Sequence, residues 1–393
     1  MSAKQTNPQS PRYLLSDADL GEAEAQAAAE VVRSKWLSVG KRTAEFEADF
    51  TAFTGAGHAV ATSSATASLH LSLLALGIGP GDEVLVPSYT FVASANAIVY
   101  VGAAPVFVDI GGPTDLNVNP GDLAAKVTSR TKAIVVVHLA GYLADMNAIM
   151  DIATRHNLAV VEDAAHAVGA TYETPGPYHA RAAGTIGNLG CFSFFANKNL
   201  VTGEGGMATT DDADLARRIR LGRSHGMTKT SWDKATGRAT DYDITEIGYN
   251  YRPTEITAAL GVIQLRKLPA AQARRRKLTE RYRAKLAARP ELIVPFADHE
   301  AGSAYHIVPL VLPSAKQRSP FRERLDRAGI QTSVHYPPVH FFTHYAESQP
   351  NTSLPATEDV AAREVTVPLH PLLEVDDIDE ITDAIITAFD DSA

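Results

Sequence analysis

From His58 onward, short β-branched runs alternate with helical patterns, and no other feature of the chain restricts its fold as tightly. Ala59–Thr62, Glu83–Pro87, Pro105–Asp109, Lys132–His138 and Leu158–Glu162 read as strands. Thr66–Leu76, a stretch near Val92–Val101, and Asp145–His156 read as the helices between them. Strands separated by helices of this length pair in parallel through right-handed crossovers. Residues 58 to about 225 are therefore expected to build one open, mostly parallel sheet with helices on both faces. Ligands of such α/β sheets bind beyond the carboxyl ends of the strands.

The flanks differ in texture. Residues 1–15 read as a flexible arm, followed by a helix from Leu20 to Trp36 that Asp17 or Asp19 would cap. After Asn250 the chain becomes one long helical segment in which Leu278, Tyr282 and Leu286 share a face, while Arg274, Arg275, Arg276, Lys277, Arg281, Arg283 and Lys285 crowd the rest. Such a basic helix suits nucleic acid or an anionic membrane, but the whole chain has a net charge of −9, which repels a phosphate backbone. A solvated interdomain helix with one buried stripe is the expectation, with neither nucleic acid nor membrane as a partner. Residues 300–393 mix short strands (His306–Leu312, Thr332–His335) with terminal helices, as in a smaller α+β domain. The expected division is a large domain over 16–250 and a small C-terminal domain over 251–393 that includes the interdomain helix.

The 45% hydrophobic and 21% charged content is that of a packed globular chain and excludes disorder. A single cysteine, Cys191, excludes an internal disulfide framework, a zinc knuckle and a CxxC redox pair, and points to a reducing cytoplasm. Within its apolar run it is expected to be a buried small hydrophobe. The N-terminus lacks an apolar signal core, and no apolar run approaches ~18 residues.

Most motif candidates dissolve on inspection. Gly77-Ile78-Gly79-Pro80-Gly81 matches no nucleotide fingerprint and precedes a strand, which suits a tight helix-to-strand turn. His335, His340 and His344 invite a metal reading, but the HExxH glutamate is absent and Pro337-Pro338 breaks a helix through the first of them, so no metal is expected. Three clusters matter together. Asp163 ends the predicted strand Leu158–Glu162 at the ligand edge; Lys198 follows a strand into a loop before Gly203-Glu204-Gly205-Gly206; Ser63-Ser64-Ala65-Thr66 ends one strand and opens a helix, where free N–H groups hold phosphate. Singly these are a helix cap, a solvated charge and an N-cap. One cofactor, pyridoxal 5′-phosphate (PLP), needs all three: a lysine for its aldehyde, a carboxylate for its ring nitrogen, and an anion hole.

Here the chain resembles the DegT/DnrJ/EryC1/StrS aminotransferases, sugar-nucleotide enzymes of the aspartate-aminotransferase fold (PLP fold type I). The resemblance runs from about Leu14 to Phe389. It rests on Ser-Ser-Ala-Thr-Ala-Ser-Leu at 63–69, Gly-Pro-Gly-Asp-Glu-Val at 79–84, Pro-Ser-Tyr-Thr-Phe at 87–91, Glu-Asp-Ala-Ala-His-Ala at 162–167, Ser-Phe-Phe-Ala-Asn-Lys-Asn-Leu at 193–200, Gly-Glu-Gly-Gly at 203–206, His-Gly at 225–226, Gly-Tyr-Asn-Tyr-Arg at 248–252, and Pro-Leu-His-Pro at 368–371. It implies a large PLP domain, a small C-terminal domain, and a homodimer with shared active sites.

The resemblance also implies roles. Lys198 is the Schiff-base lysine, Asp163 the partner of the pyridinium, and Phe91 the aromatic against the ring. Ala65, Thr66 and Ser193 hold the phosphate. Ala65 stands where the family has glycine, and His166 where it often has the glutamine that meets the cofactor hydroxyl. Asn250 matches an asparagine that reaches the phosphate from the neighbouring subunit. The implied reaction moves an amino group from an amino acid, L-glutamate by resemblance, to a nucleotide-linked keto-sugar. Alternatives are a keto-cyclitol acceptor, a sugar dehydration, in which relatives replace the lysine with histidine, and a non-catalytic PLP-fold regulator.

Overall fold

A computed structural model describes residues 11–392 apart from 230, 238–239 and 298–301. Its strands are β1 His58–Thr62, β2 Glu83–Pro87, β3 Ala104–Val108, β4 Ile110–Gly112, β5 Asp115–Val118, β6 Thr131–Val137, β7 Ala159–Asp163, β8 Leu189–Ser193, β9 Gly206–Thr210, β10 Val308–Val311 and β11 Glu364–Val367. Seven form one sheet in the order β1-β9-β8-β7-β6-β2-β3. Pairing is parallel from β8 through β7, β6 and β2 to β3; β9 runs antiparallel to both β8 and β1. The sheet is the mostly parallel one expected from the alternating pattern.

The central strands read as continuous apolar runs because both of their faces are covered. Leu85, Ile134, Val136 and Val160 enter one core, which also holds the contacting rings of Phe46, Phe50, Phe192 and Phe194. Val84, Val86, Val135 and Val161 enter a second core under the helices Ala65–Ala75 and Ala93–Tyr100. The glycine cluster is a turn: Gly77 and Gly81 have φ of 75° and 93°, and the Gly79 amide donates to the Asp82 carboxylate.

The 32-residue helix Glu255–Leu286 serves two cores. Ala258, Val262, Leu265 and Leu268 pack against the sheet, whereas Leu278, Tyr282 and Leu286 pack into a separate core with β10, β11 and the terminal helix Val375–Asp390. Its basic face is only partly solvated. Arg281 and Lys285 pair with Asp379 and Asp383 of the terminal helix, at 2.6 and 2.5 Å. Arg275 departs from the solvated expectation: it is buried and donates to the carbonyls of His306 and Leu369, both at 3.1 Å.

Two local expectations are corrected. Thr332–His335 forms no strand, only an isolated bridge between Ser333 and Thr366 of β11. Residues 11–15 are not a free arm: Tyr13 is buried, bridges Gly329 and Gln331 through its backbone, and donates its hydroxyl to Glu380 at 2.7 Å. Residues 1–10, the rest of that arm, lie outside the described residues. The first helix is Glu22–Ser34 with Gly21 at its N-cap, so neither Asp17 nor Asp19 caps it.

Candidate active site

A cavity of about 460 Å³ opens at the carboxyl ends of β7 and β8. It gathers Ala65, Thr66, Phe91, Asp163, His166, Ser193 and Lys198 from four separate chain segments. Asn250 is not among its lining residues. It lies exposed in a bridge to Ser224, and the cap of the following helix is Thr254.

Asp163 is the last residue of β7. Its carboxylate accepts from Ser94 Oγ at 2.7 Å and from the Ala165 amide at 3.2 Å. Burial raises its pKa, against the opposing pull of those two donors and of Lys198. Its neighbour Glu162 points the other way into a structural knot, accepting from the amides of Gly184, Ile186 and Gly187 and pairing with His138. Alternation along one strand thus sends one carboxylate to the cavity and its neighbour into the interior.

Lys198 follows β8 in a turn closed by its own amide to the Phe195 carbonyl at 2.9 Å. Burial lowers the pKa of its amine from 10.5 to about 8, with Asp163 acting in the opposite sense. The next residue anchors it from behind: Asn199 Nδ2 donates to the Ala304 carbonyl at 2.6 Å, and Asn199 Oδ1 meets His306 Nδ1 at 3.0 Å.

At the opposite wall the helix Ala65–Ala75 begins. Ser64 caps it by accepting from the Ala67 amide, which leaves the amides of Ala65 and Thr66 without partners among the described residues. Ala65 starts the helix with ordinary negative φ, so alanine in place of glycine keeps the amide without strain. Gly206, the first residue of β9, presses against this terminus. A Cβ there would fall 2.3 Å from the Ser64 carbonyl carbon and 2.6 Å from the Ala65 nitrogen.

These residues fit PLP. An amine of lowered pKa and a buried carboxylate line one cavity, an uncovered helix N-terminus lies across it, and Phe91 is 58% exposed. Two further buried atoms, Asn197 Oδ1 and His166 Nδ1, lack a hydrogen-bond partner.

Sequence reading missed Ser94, Asn197, Glu204, His335 and Tyr336 as site residues. Ser94 lies on the helix after Phe91, and only the tertiary fold brings it to Asp163. His335 and Tyr336 come from the C-terminal part of the chain; the signal for them was the polar aromatic pair directly before Pro337-Pro338. The three histidines considered for metal have other partners: His335 Nδ1 meets Thr366 at 2.9 Å, and His340 is buried between Ser88 and Glu358, whereas His344 is exposed. Among the described residues no group of three or more His, Cys, Asp or Glu side chains is placed to hold a metal. Cys191 is buried against Ser72, and burial raises its thiol pKa.

Fold and cavity together define a PLP-dependent aminotransferase of fold type I. The chain belongs to the DegT/DnrJ/EryC1/StrS aminotransferase family, whose model matches residues 18–386. It is 41% identical to the spore coat polysaccharide biosynthesis protein SpsC of Bacillus subtilis over 93% of this chain and 94% of that one. Among solved structures it resembles PseC of Helicobacter pylori, an aminotransferase involved in the biosynthesis of pseudoaminic acid, at 28% identity and a TM-score of 0.88, covering 96% of this chain and 99% of PseC. It also resembles a candidate sugar aminotransferase of Streptococcus pneumoniae in its PLP form, at 30% identity and a TM-score of 0.87, covering 97% and 99%. No helix among the described residues is long and apolar enough to cross a membrane.

Proposed function

We propose that the chain transfers an amino group from L-glutamate to a nucleotide-linked keto-sugar, with Lys198 as the catalytic base. PLP, when bound, supplies the aldehyde that takes up amino groups and a ring that draws electrons from the reacting carbon. Ala65 and Thr66 would offer backbone amides, and Ser193 a hydroxyl, to its phosphate; Phe91 would lie against the ring, and His166 would meet its hydroxyl. Asp163 holds the ring nitrogen protonated by pairing with its charge. Lys198 Nζ, whose pKa of about 8 lets a useful fraction be neutral near pH 7, takes the α-proton of the donor and returns it during amination of the acceptor. The observation that carries the reading is Lys198 facing Asp163 in one cavity opposite the uncovered helix N-terminus.

The relatives support a sugar as acceptor. The deciding experiment is a panel of nucleotide keto-sugars and keto-cyclitols assayed with glutamate: amination of cyclitols alone would refute the acceptor assignment, and failure of glutamate alone would refute the donor.

The same reading places the work in the cytoplasm and in a homodimer, with Asn250 completing the partner's site and a division into domains near residue 250. Supporting it, Asn250 is exposed beside exposed Ile244 and Ile247. Subunit exchange between inactive Lys198→Ala and inactive Asn250→Ala chains should restore activity in one site per heterodimer. No recovery despite demonstrated exchange would refute sharing.

A further inference from the structure

The sequence departure at His166 becomes informative once its neighbours are known. Tyr336 Oη lies 3.0 Å from His166 Nε2, the two rings stand nearly parallel with centroids 6.0 Å apart, and both side chains line the cavity beside Lys198. Beneath His166 the His306 ring packs at 4.4 Å. The state of His306 follows from its partner: Asn199 must turn its NH₂ to the Ala304 carbonyl, so its oxygen faces His306, whose Nδ1 is therefore the protonated nitrogen. Burial holds the His306 imidazole well below its usual pKa, so the floor under His166 is a fixed, neutral ring.

His166 has one proton to place. Its Nδ1 is buried without a partner. With that proton on Nε2, the ring nitrogen that has a protein partner, His166 donates to Tyr336 Oη. Having accepted this bond, the Tyr336 hydroxyl keeps a proton of its own, with the cavity beside it. The neighbours on every side favour these neutral forms. Burial, with Lys198 and His335 adding to it, holds the His166 imidazole well below its usual pKa; burial, with Asp163 and Glu364 adding to it, raises the Tyr336 phenol.

We propose that Tyr336, polarised by the hydrogen bond from His166, is the direct donor to the ring oxygen of bound PLP, in place of the side chain at position 166. The proposal rests on the reading that position 166 stands beside that oxygen. His166 is then a positioning residue that acts through Tyr336, and the C-terminal part of the chain supplies a cofactor contact through the segment that closes the cavity. Losing this donor destabilises the anionic ring oxygen, so the proton it shares with the Lys198 nitrogen is held to higher pH.

The test is the pH titration of the visible absorbance of the PLP-loaded protein, together with PLP affinity measured on the cofactor-free protein by fluorescence quenching. Tyr336→Phe, which retains the ring, should raise the titration midpoint by about one pH unit and weaken PLP by about tenfold, the size of one lost hydrogen bond to a charged group. His166→Ala should shift the midpoint the same way by less. His166→Gln, whose amide can reach the oxygen directly, should return it toward wild type and make Tyr336→Phe nearly silent. A midpoint moved by His166→Ala but not by Tyr336→Phe overturns the proposal and leaves position 166 at the ring oxygen. A midpoint moved by neither overturns both. Should Tyr336→Phe take up too little PLP to titrate, an equal effect of Tyr336→Phe on PLP affinity in wild-type and His166→Gln backgrounds overturns it as well.

Discussion

Lys198 is held in an environment that disfavours its charge, and the cofactor-free protein must carry that cost. A fall from 10.5 to about 8 corresponds to about 3 kcal/mol of preference for the neutral amine. Replacing Lys198 with methionine keeps an unbranched stem of similar length and removes the ammonium. Part of the gain is lost because Asp163 gives up a nearby cation. The sign follows from linkage: the folded amine has the lower pKa, so the unfolded chain binds more protons between about pH 8 and 10.5. Below pH 8 the penalty is complete, and above 10.5 it is gone. Cofactor-free Lys198→Met should therefore be more stable than wild type by about 2–3 kcal/mol at pH 7. That advantage should fade as pH rises to 10.5. Urea unfolding of both cofactor-free proteins at pH 7, 9 and 10.5 measures the difference. A less stable variant, or an advantage independent of pH, would refute the claim that burial of the ammonium sets the reactivity of Lys198.

Other substitutions probe separate parts of the cavity. Lys198→Ala should abolish turnover yet still bind PLP noncovalently in equilibrium dialysis, since the phosphate site and Asp163 remain. Asp163→Asn should bind PLP but lose activity by about 100-fold or more, because an amide cannot stabilise the charged ring nitrogen; an undiminished kcat would make this carboxylate merely structural. Ser94→Ala removes the 2.7 Å bond to Asp163 and should raise its pKa further and lower kcat by about tenfold, with KM for the amino donor little changed. Gly206→Ala pushes a methyl into the backbone at Ser64 and Ala65 and should weaken PLP by about tenfold or more; affinity like wild type would show that this helix terminus does not hold the phosphate.

The alternation of runs between His58 and Thr210 was enough to place the sheet, because strands buried on both faces need continuous apolar residues and parallel pairing needs the helices between them. Asp163 and Lys198 were readable for the same reason: each stands at or just beyond the end of a strand, and strand ends of a parallel sheet share one edge. The long helix shows where such reading stops. The stripe of Leu278, Tyr282 and Leu286 was visible, but which arginine is buried was not, because Arg275 and its neighbours have the same local pattern and differ only in what another segment, His306 and Leu369, brings against them. Ser94, His306 and Tyr336 make the same point at the cavity. Periodicity and turn chemistry are local and travel with the sequence, so they determine the elements and their order. Whether a hydroxyl meets Asp163, whether Lys198 loses its water, and which nitrogen of His166 keeps its proton depend on contacts between residues far apart in the chain, and only the folded arrangement decides them.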